Sequence, residues 1–245
     1  MLKKLGKDVA IYGGADFLFR AAQFVVIPIY AYTLSVADFG ILALLTVSAT
    51  LLGMLLNLGV SNSVQRYYFD PETEESDRPA VVSTGLAQLL LSGVVTIAVA
   101  WLALRPFAGT LQVDYGIAWP LVMIALLTVF PDQIAQYCLD AVRLQFAPLR
   151  FCAIAIVKNM LGVLLGLWFL LRWKMGVEGL LLGMLISAMA AVPIGLLMIR
   201  RDLRWGIDPV IARKVFRYGY PFVLTGAAYW VFGSMDRWML LQFGT

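Results

Sequence analysis

No histidine occurs among the 245 residues, which removes the usual proton carrier near neutral pH and the commonest metal ligand. His-based nucleophilic triads and H-E-x-x-H zinc helices are excluded with it. Cysteine is almost absent: Cys138 and Cys152 are too few for a disulfide framework or a Cys-rich metal site, and both read as small core residues. Charge is scarce as well. Charged residues make up 14% of the chain, against ~25% in soluble domains. Hydrophobic residues reach 61%, with mean hydropathy +0.84. These values describe an all-α integral membrane protein, with no metal and no cofactor expected.

A spanning helix needs ~20 mainly apolar residues. That rule places about seven spans, near 9–33, 39–62, 81–104, 116–140, 150–171, 177–199 and 214–243. The first is not a cleaved signal peptide, because its apolar run contains Asp16 and Arg20, continues to Tyr32 and lacks a small-residue cleavage site. Lys and Arg collect on one side. Thirteen fall in one set of connections: Lys3, Lys4, Lys7, Arg66, Arg78, Arg143, Arg150, Arg200, Arg201, Arg204, Arg213, Lys214 and Arg217. Three fall in the other: Arg105, Arg172 and Lys174. The bias puts the N-terminus in the cytoplasm. It also accounts for the net charge of +4 without a nucleic-acid partner.

The loops are too short for a soluble catalytic domain. DPETEESDRP (70–79) is acidic and reads as a solvated connector. RRDLRWGIDPVIARKVFR (200–217) is basic with interleaved apolar residues. It reads as a helix lying in the cytoplasmic interface against anionic membrane lipids.

Ionisable groups inside the hydrocarbon cost ~2.5–3.5 kcal/mol on insertion scales. Counted at ~1.5 Å per residue from Val9, Arg20 lies ~16 Å in, near the midplane, with Asp16 one turn away. Lys158 lies ~12 Å in from Arg150. Asp132, Gln136, Asp140 and Arg143 form one stripe on the fourth span. Two readings compete: structural staples, with Asp16–Arg20 self-neutralised and Lys158 snorkelling or bonded to Asp132, or the wall of a chamber. Taken singly each residue fits both; two cations at similar depth on different helices favour a chamber accepting a phosphate-bearing group. Arg66, Arg143 and Arg150, at the cytoplasmic ends of three spans, either snorkel or form a cationic mouth. Gly162 and Gly166 permit close helix contact or bending. Pro28, Pro120, Pro131, Pro193 and Pro221 mark kinks, static or hinge-like.

Four stretches carry a family resemblance: PIYAYTLSVADFGILALL (28–45), LLNLGVSNSVQRYYFD (55–70), MGVEGLLLGMLIS (175–187) and FRYGYPFVLTGAAYWVFGSMDRWML (216–240). In order and spacing the chain resembles the polysaccharide-repeat (O-antigen type) flippases of the multidrug/oligosaccharidyl-lipid/polysaccharide exporter superfamily. The resemblance implies a MATE-like fold of two six-helix lobes around a central cavity, and alternating access driven by an ion gradient or membrane potential. It also implies a bacterial plasma membrane setting and a polyprenyl-diphosphate-linked glycan as substrate, with other polysaccharide assembly proteins as partners. Residues 1–199 would then form the first lobe, 200–213 a basic connector, and 214–245 the helix opening a second lobe that continues downstream. Tyr12-Gly13 and Ala21-Ala22 repeat at Tyr218-Gly219 and Ala227-Ala228, the faint trace a repeated lobe would leave.

On this reading Arg20 and Lys158 bind the diphosphate, Asp16 and Asp132 tune those charges or couple a cation, and Gln23, Asn57 and Gln136 meet sugar hydroxyls. Asp236 and Arg237, ~30 Å along the last span from Arg217, either anchor it with Trp238 at the outer interface or act as an outer gate. No bond chemistry is expected. The competing classes are a small-solute antiporter of the same superfamily, a membrane glycosyl- or phosphatidyltransferase, and a non-transporting scaffold. A transferase would show clustered carboxylates for a metal, which DPETEESD lacks in spacing.

The orientation is directly measurable. Single cysteines at Glu74 and Arg201 should be labelled from outside only after permeabilisation, whereas those at Asp114 and Lys174 should label in intact cells; the reverse pattern would overturn the cation-bias assignment.

Overall fold

In lipid, each backbone N–H and C=O must be satisfied within its own segment. The computed structural model describes the backbone of residues 2–204 and 206–243; the side chains of 2–12, 15, 16, 18, 20, 23, 234–238 and 240–243 lie outside the described residues. The roles assigned above to Asp16, Arg20, Gln23, Asp236 and Arg237 therefore fall on side chains outside the description.

The chain runs α1 (Leu2–Thr33), α2 (Val36–Asn57), α3 (Val60–Tyr68), α4 (Arg78–Leu104), α5 (Ala108–Tyr115), α6 (Trp119–Leu144), α7 (Pro148–Ala155), α8 (Gly162–Arg172), α9 (Gly176–Ile199) and α10 (Pro209–Phe243). A π-helical turn, Ile156–Leu161, joins α7 to α8, and no strand occurs among the described residues. Among the described residues, five continuous runs are long and apolar enough to cross a membrane: Val36–Asn57, Arg78–Tyr115, Trp119–Leu144, Pro148–Arg172 and Gly176–Asp202. The first and seventh expected spans fall in α1 and α10, of 32 and 35 residues. At ~1.5 Å per residue both exceed the ~30 Å hydrocarbon thickness.

Local chemistry sets the boundaries. Ser35 caps α2, its hydroxyl accepting from the Asp38 backbone N–H at 3.1 Å while Asp38 lies in the first turn, beside the helix's positive end. The second span departs from expectation. Instead of running unbroken over 39–62, it stops at Asn57, where Leu58 and Gly59 both turn left-handed (φ 48° and 69°), and restarts as α3. Asn57 bridges the break, accepting from the Ser61 N–H at 3.3 Å and donating to the Ser61 hydroxyl at 3.2 Å.

The basic segment also differs from the expected single helix. It is a short 3-10 turn (Arg200–Asp202), non-helical residues at 203–204 and 206–208, and then the first turns of α10. The Arg204 N–H donates to the Ser83 hydroxyl (2.6 Å), and the Arg204 guanidinium stands 4.0 Å from Asp77 of the acidic loop. Loop and connector thus meet at one end of the bundle, called here the basic face.

Close approach explains much of the packing. A Cβ on Gly183 of α9 would lie 2.5 Å from Gly166 N and 2.9 Å from Gly162 O, so the Gly162–Gly166 pair on α8 serves helix contact. Helix α10 lies antiparallel along α2 and α3. Its contacts step back along them: Val215 O with the Ser63 hydroxyl (2.9 Å), Gly219 against Gly59, Gly226 against Met54, and Trp230 Nε1 donating to Val47 O at 3.0 Å. Pro28, Pro131, Pro193 and Pro221 all sit inside continuous helices.

Two apolar clusters result. One, nearer the basic face, centres on Leu56, Val82, Leu89, Tyr137, Val142, Phe151 and Ile199. The other gathers Leu42, Leu45, Val122, Leu170 and Leu180 towards the opposite end.

The Gly59–Gly219 crossing is the most restrictive contact. A Cβ at 219 would fall 2.5 Å from Leu58 O and 2.9 Å from the Ser63 hydroxyl. Gly219→Leu should therefore destabilise the protein by about 1–3 kcal/mol, read as a lower melting temperature in detergent, while Gly233→Leu, where a Cβ meets open space, should not; equal melting temperatures for the two would remove the crossing from the account.

Candidate functional site

Between the two clusters lies a cavity of about 600 Å³, within the ~300–1,000 Å³ typical of ligand sites. On α2 its lining residues Thr46 to Met54 fall in sequence between Leu45 of one cluster and Leu56 of the other, and on α6 Thr128, Asp132 and Gln133 fall between Ala125 and Ile134. Helix α2 contributes Thr46, Thr50, Gly53 and Asn57, spaced 4, 3 and 4 apart along one face. Helix α6 contributes Thr128, Asp132 and Gln133, the π turn Lys158 and Asn159, α1 Tyr30, and α10 Phe222, Val223 and Gly226. Gly53 leaves room for Gln133, whose amide nitrogen sits 2.7 Å from where a Cβ would be. Thr46, Thr50 and Thr128 donate their hydroxyls to carbonyls of their own helices at 2.7–3.0 Å, leaving oxygen lone pairs for another donor.

Lys158 is the charged centre. Its ammonium lies 3.1 Å from Asp132 Oδ1 and donates to Gln136 Oε1 at 3.0 Å. Its side chain is 11% exposed, against 39% for Asp132. The cation is thus set behind its partner, and two of its three donors are occupied. It stands in the π turn, where one residue is inserted into the helical ladder. Gln136 in turn donates to Asp140 Oδ1 at 3.2 Å, and Ser61 bonds the same carboxylate.

The sequence-based candidates fare as follows. Asn57, Asp132 and Lys158 come together in one cavity. Gln136 does not line it; its amide is drawn into the link between Lys158 and Asp140. Arg66 lies over the Tyr218 ring at 5.1 Å, and Arg143 over Phe151 at 4.5 Å. Arg150 donates to Gln145 Oε1 at 3.3 Å and Met198 O at 3.4 Å, holding α7 to the end of α9. Each of these three arginines thus has a contact within the bundle, and no described contact joins them to one another.

Thr46, Thr50, Thr128, Gln133 and Asn159 escaped the sequence reading. The α2 and α6 spacings carried the signal, since 128, 132, 136 and 140 extend the stripe that was read only from Asp132 onwards. The π turn left no mark in composition.

Compared with known proteins, residues 5–243 match the family described as polysaccharide biosynthesis protein. No curated protein and no solved structure matches the chain.

The ion pair makes a distinctive stability signature. Lys158→Gln leaves the Asp132 carboxylate unmatched and should cost about 1–3 kcal/mol, below the ~3–5 of a fully buried pair because Asp132 is part-exposed. Asp132→Asn combined with Lys158→Gln should recover most of the lost melting temperature. A double variant no more stable than Lys158→Gln alone would show that the pair does not stabilise the helix contact.

Proposed function

The chain belongs to the polysaccharide biosynthesis protein family, and from that premise we propose that it is a membrane flippase carrying an undecaprenyl-diphosphate-linked oligosaccharide across the bacterial plasma membrane by alternating access. The observation that carries the reading is the cavity itself. It is enclosed by helices from along the whole chain, lies between two apolar ends, and holds one lysine behind a displaceable carboxylate among neutral amides and hydroxyls. Such a chamber recognises an anionic group joined to a hydroxyl-rich one, and it presents no described cluster of metal-ligating side chains.

In this proposal Lys158 is a ligand of the diphosphate, with Arg20 as its partner on α1. Asp132 holds Lys158 while the chamber is empty, because an unpaired ammonium inside the membrane is costly. An arriving phosphate oxygen takes the third Lys158 donor and competes with Asp132 for the charge. Asn57, Gln133, Asn159 and the threonine oxygens meet sugar hydroxyls. Residues 1–199 act as one lobe, 200–213 as its cytoplasmic connector, and 214–245 as the first helix of the other. Arg66, Arg143 and Arg150 remain the proposed cytoplasmic mouth, with Asp236 and Arg237 at the outer side.

The test is export of lipid-linked glycan in a complementation assay read beside membrane abundance. Arg20→Gln and Lys158→Gln should each reduce export by about tenfold or more, the scale of a lost hydrogen bond to a charged group. Lys158→Arg should retain part of it. Full export by the Asp132→Asn, Lys158→Gln double variant would remove Lys158 from the substrate site and leave it a structural staple.

A further inference from the structure

Between α3 and α6 a second, smaller pocket of about 160 Å³ is lined in part by Ser61, Asn62, Gln65, Tyr137, Asp140 and Arg143, and Asn62 borders the main cavity as well. Asp140 lies within a membrane-spanning helix. Among the described residues its carboxylate has no cation within ion-pair distance. Gln136 and Ser61 hydrogen-bond it, and Arg143 and Lys158 act on it through space. Among the described residues, buried Tyr137 and Cys138 are its remaining titratable neighbours; the Tyr137 hydroxyl already donates to Val82 O at 2.6 Å.

The amide of Gln136 is the informative part. Lys158 Nζ can only donate and an ionised carboxylate can only accept, so the amide must turn its oxygen to Lys158 and its NH2 to Asp140. Lys158 alone fixes the amide oxygen, since an ammonium only donates; an ionised Asp140 adds a charge-assisted bond from the amide NH2, and protonation of Asp140 weakens that bond to a neutral one. Arg143 also acts on Asp140 through space, and an ionised Asp140 carries one negative charge more than a protonated one, so it opposes an anion approaching Lys158 more strongly.

Resting on the reading of Lys158 as the anion ligand, we propose that Asp140 is a proton-binding site whose occupancy is coupled through Gln136 to anion binding in the cavity. The proton adds to a carboxylate oxygen from a water that enters the smaller pocket, and returns to water by the same route; no other bond forms or breaks. A proton on Asp140 removes that negative charge and loosens the hold of the carboxyl on the Gln136 amide, so anion binding tightens, and by linkage a bound anion promotes proton uptake. A metal cation is the poorer occupant. One carboxylate already holding two hydrogen-bond donors, with an arginine acting on it, supplies few of the ~6 oxygens that hard cations collect.

Infrared titration of the purified full-length chain tests the site without any anion. The wild type should show a carboxylic acid carbonyl band that appears as pH falls and is missing in Asp140→Asn; Asp140→Glu, the gentler change, should shift the band rather than remove it. An Asp140→Asn titration identical to wild type would overturn the proposal, as would suppression of the band by sodium but not potassium at constant pH, which would mark a metal site. Calorimetry with inorganic pyrophosphate in buffers of different ionisation enthalpy then reads the coupling. The wild type should take up about one more proton per anion than Asp140→Asn, and Gln136→Leu should lower this excess while keeping the band. Equal uptake in wild type and Asp140→Asn would overturn the coupling. No pyrophosphate binding, with the band intact, would sink both the Lys158 reading and the coupling while leaving the proton site standing.

Discussion

A charge inside a membrane protein has to be answered by the chain, because the bilayer core offers no water to do it. Lys158 shows what this demands. Its ammonium, carried on a π turn of the fifth span, is met by Asp132 and Gln136, both on α6. That requirement fixes the facing of α6 and the π turn, and with it which residues of α2 and α6 look into the space between them. The polar cavity follows from the pairing: helices held together by such contacts cannot also close on an apolar seam at the same level. The apolar seams lie instead on either side of it, as two separate clusters.

Helix contact elsewhere is set by what is small. Lipid tails are as apolar as leucine, so burial alone gives helices little reason to prefer each other, and close van der Waals approach takes over. Gly162, Gly166 and Gly183 bring α8 against α9, and Gly59 and Gly219 bring α10 against the break between α2 and α3. The second crossing has a further consequence. Because α10 is pinned at Gly219 and again at Trp230, its residues Phe222, Val223 and Gly226 are placed on the cavity wall. Helix α10 therefore forms part of the chamber wall.

The polar groups form an ordered series and not a scatter. From Asp132 through Lys158, Gln136 and Asp140 to Ser61 and Asn57, each side chain holds the next. In a low-dielectric setting such linked groups respond to one another strongly. A change of charge at one member is felt along the series.

Composition and periodicity were enough for the class of protein, and for most helix positions to within a few residues, because a ~30 Å apolar layer imposes a length and a polarity on every segment that crosses it. They were enough, too, to single out Asp132 and Lys158, since a charge in an apolar run is conspicuous wherever it falls. Neutral residues such as Gln133, Asn159 and Thr50 were not legible in the same way; an amide or hydroxyl in a membrane helix is common, and only its neighbours show that it faces a cavity. The break at Leu58–Gly59 escaped because a glycine is tolerated within a helix, and what ends this one is the backbone of α10 lying against it. The π turn escaped for a related reason: it is a local register shift that no residue type announces. The sequence by itself determined that the chain folds into apolar helices, and where charge enters them. Only the tertiary structure decided which charge meets which partner, because that depends on the rotation of one helix against another, set by contacts far apart in the chain.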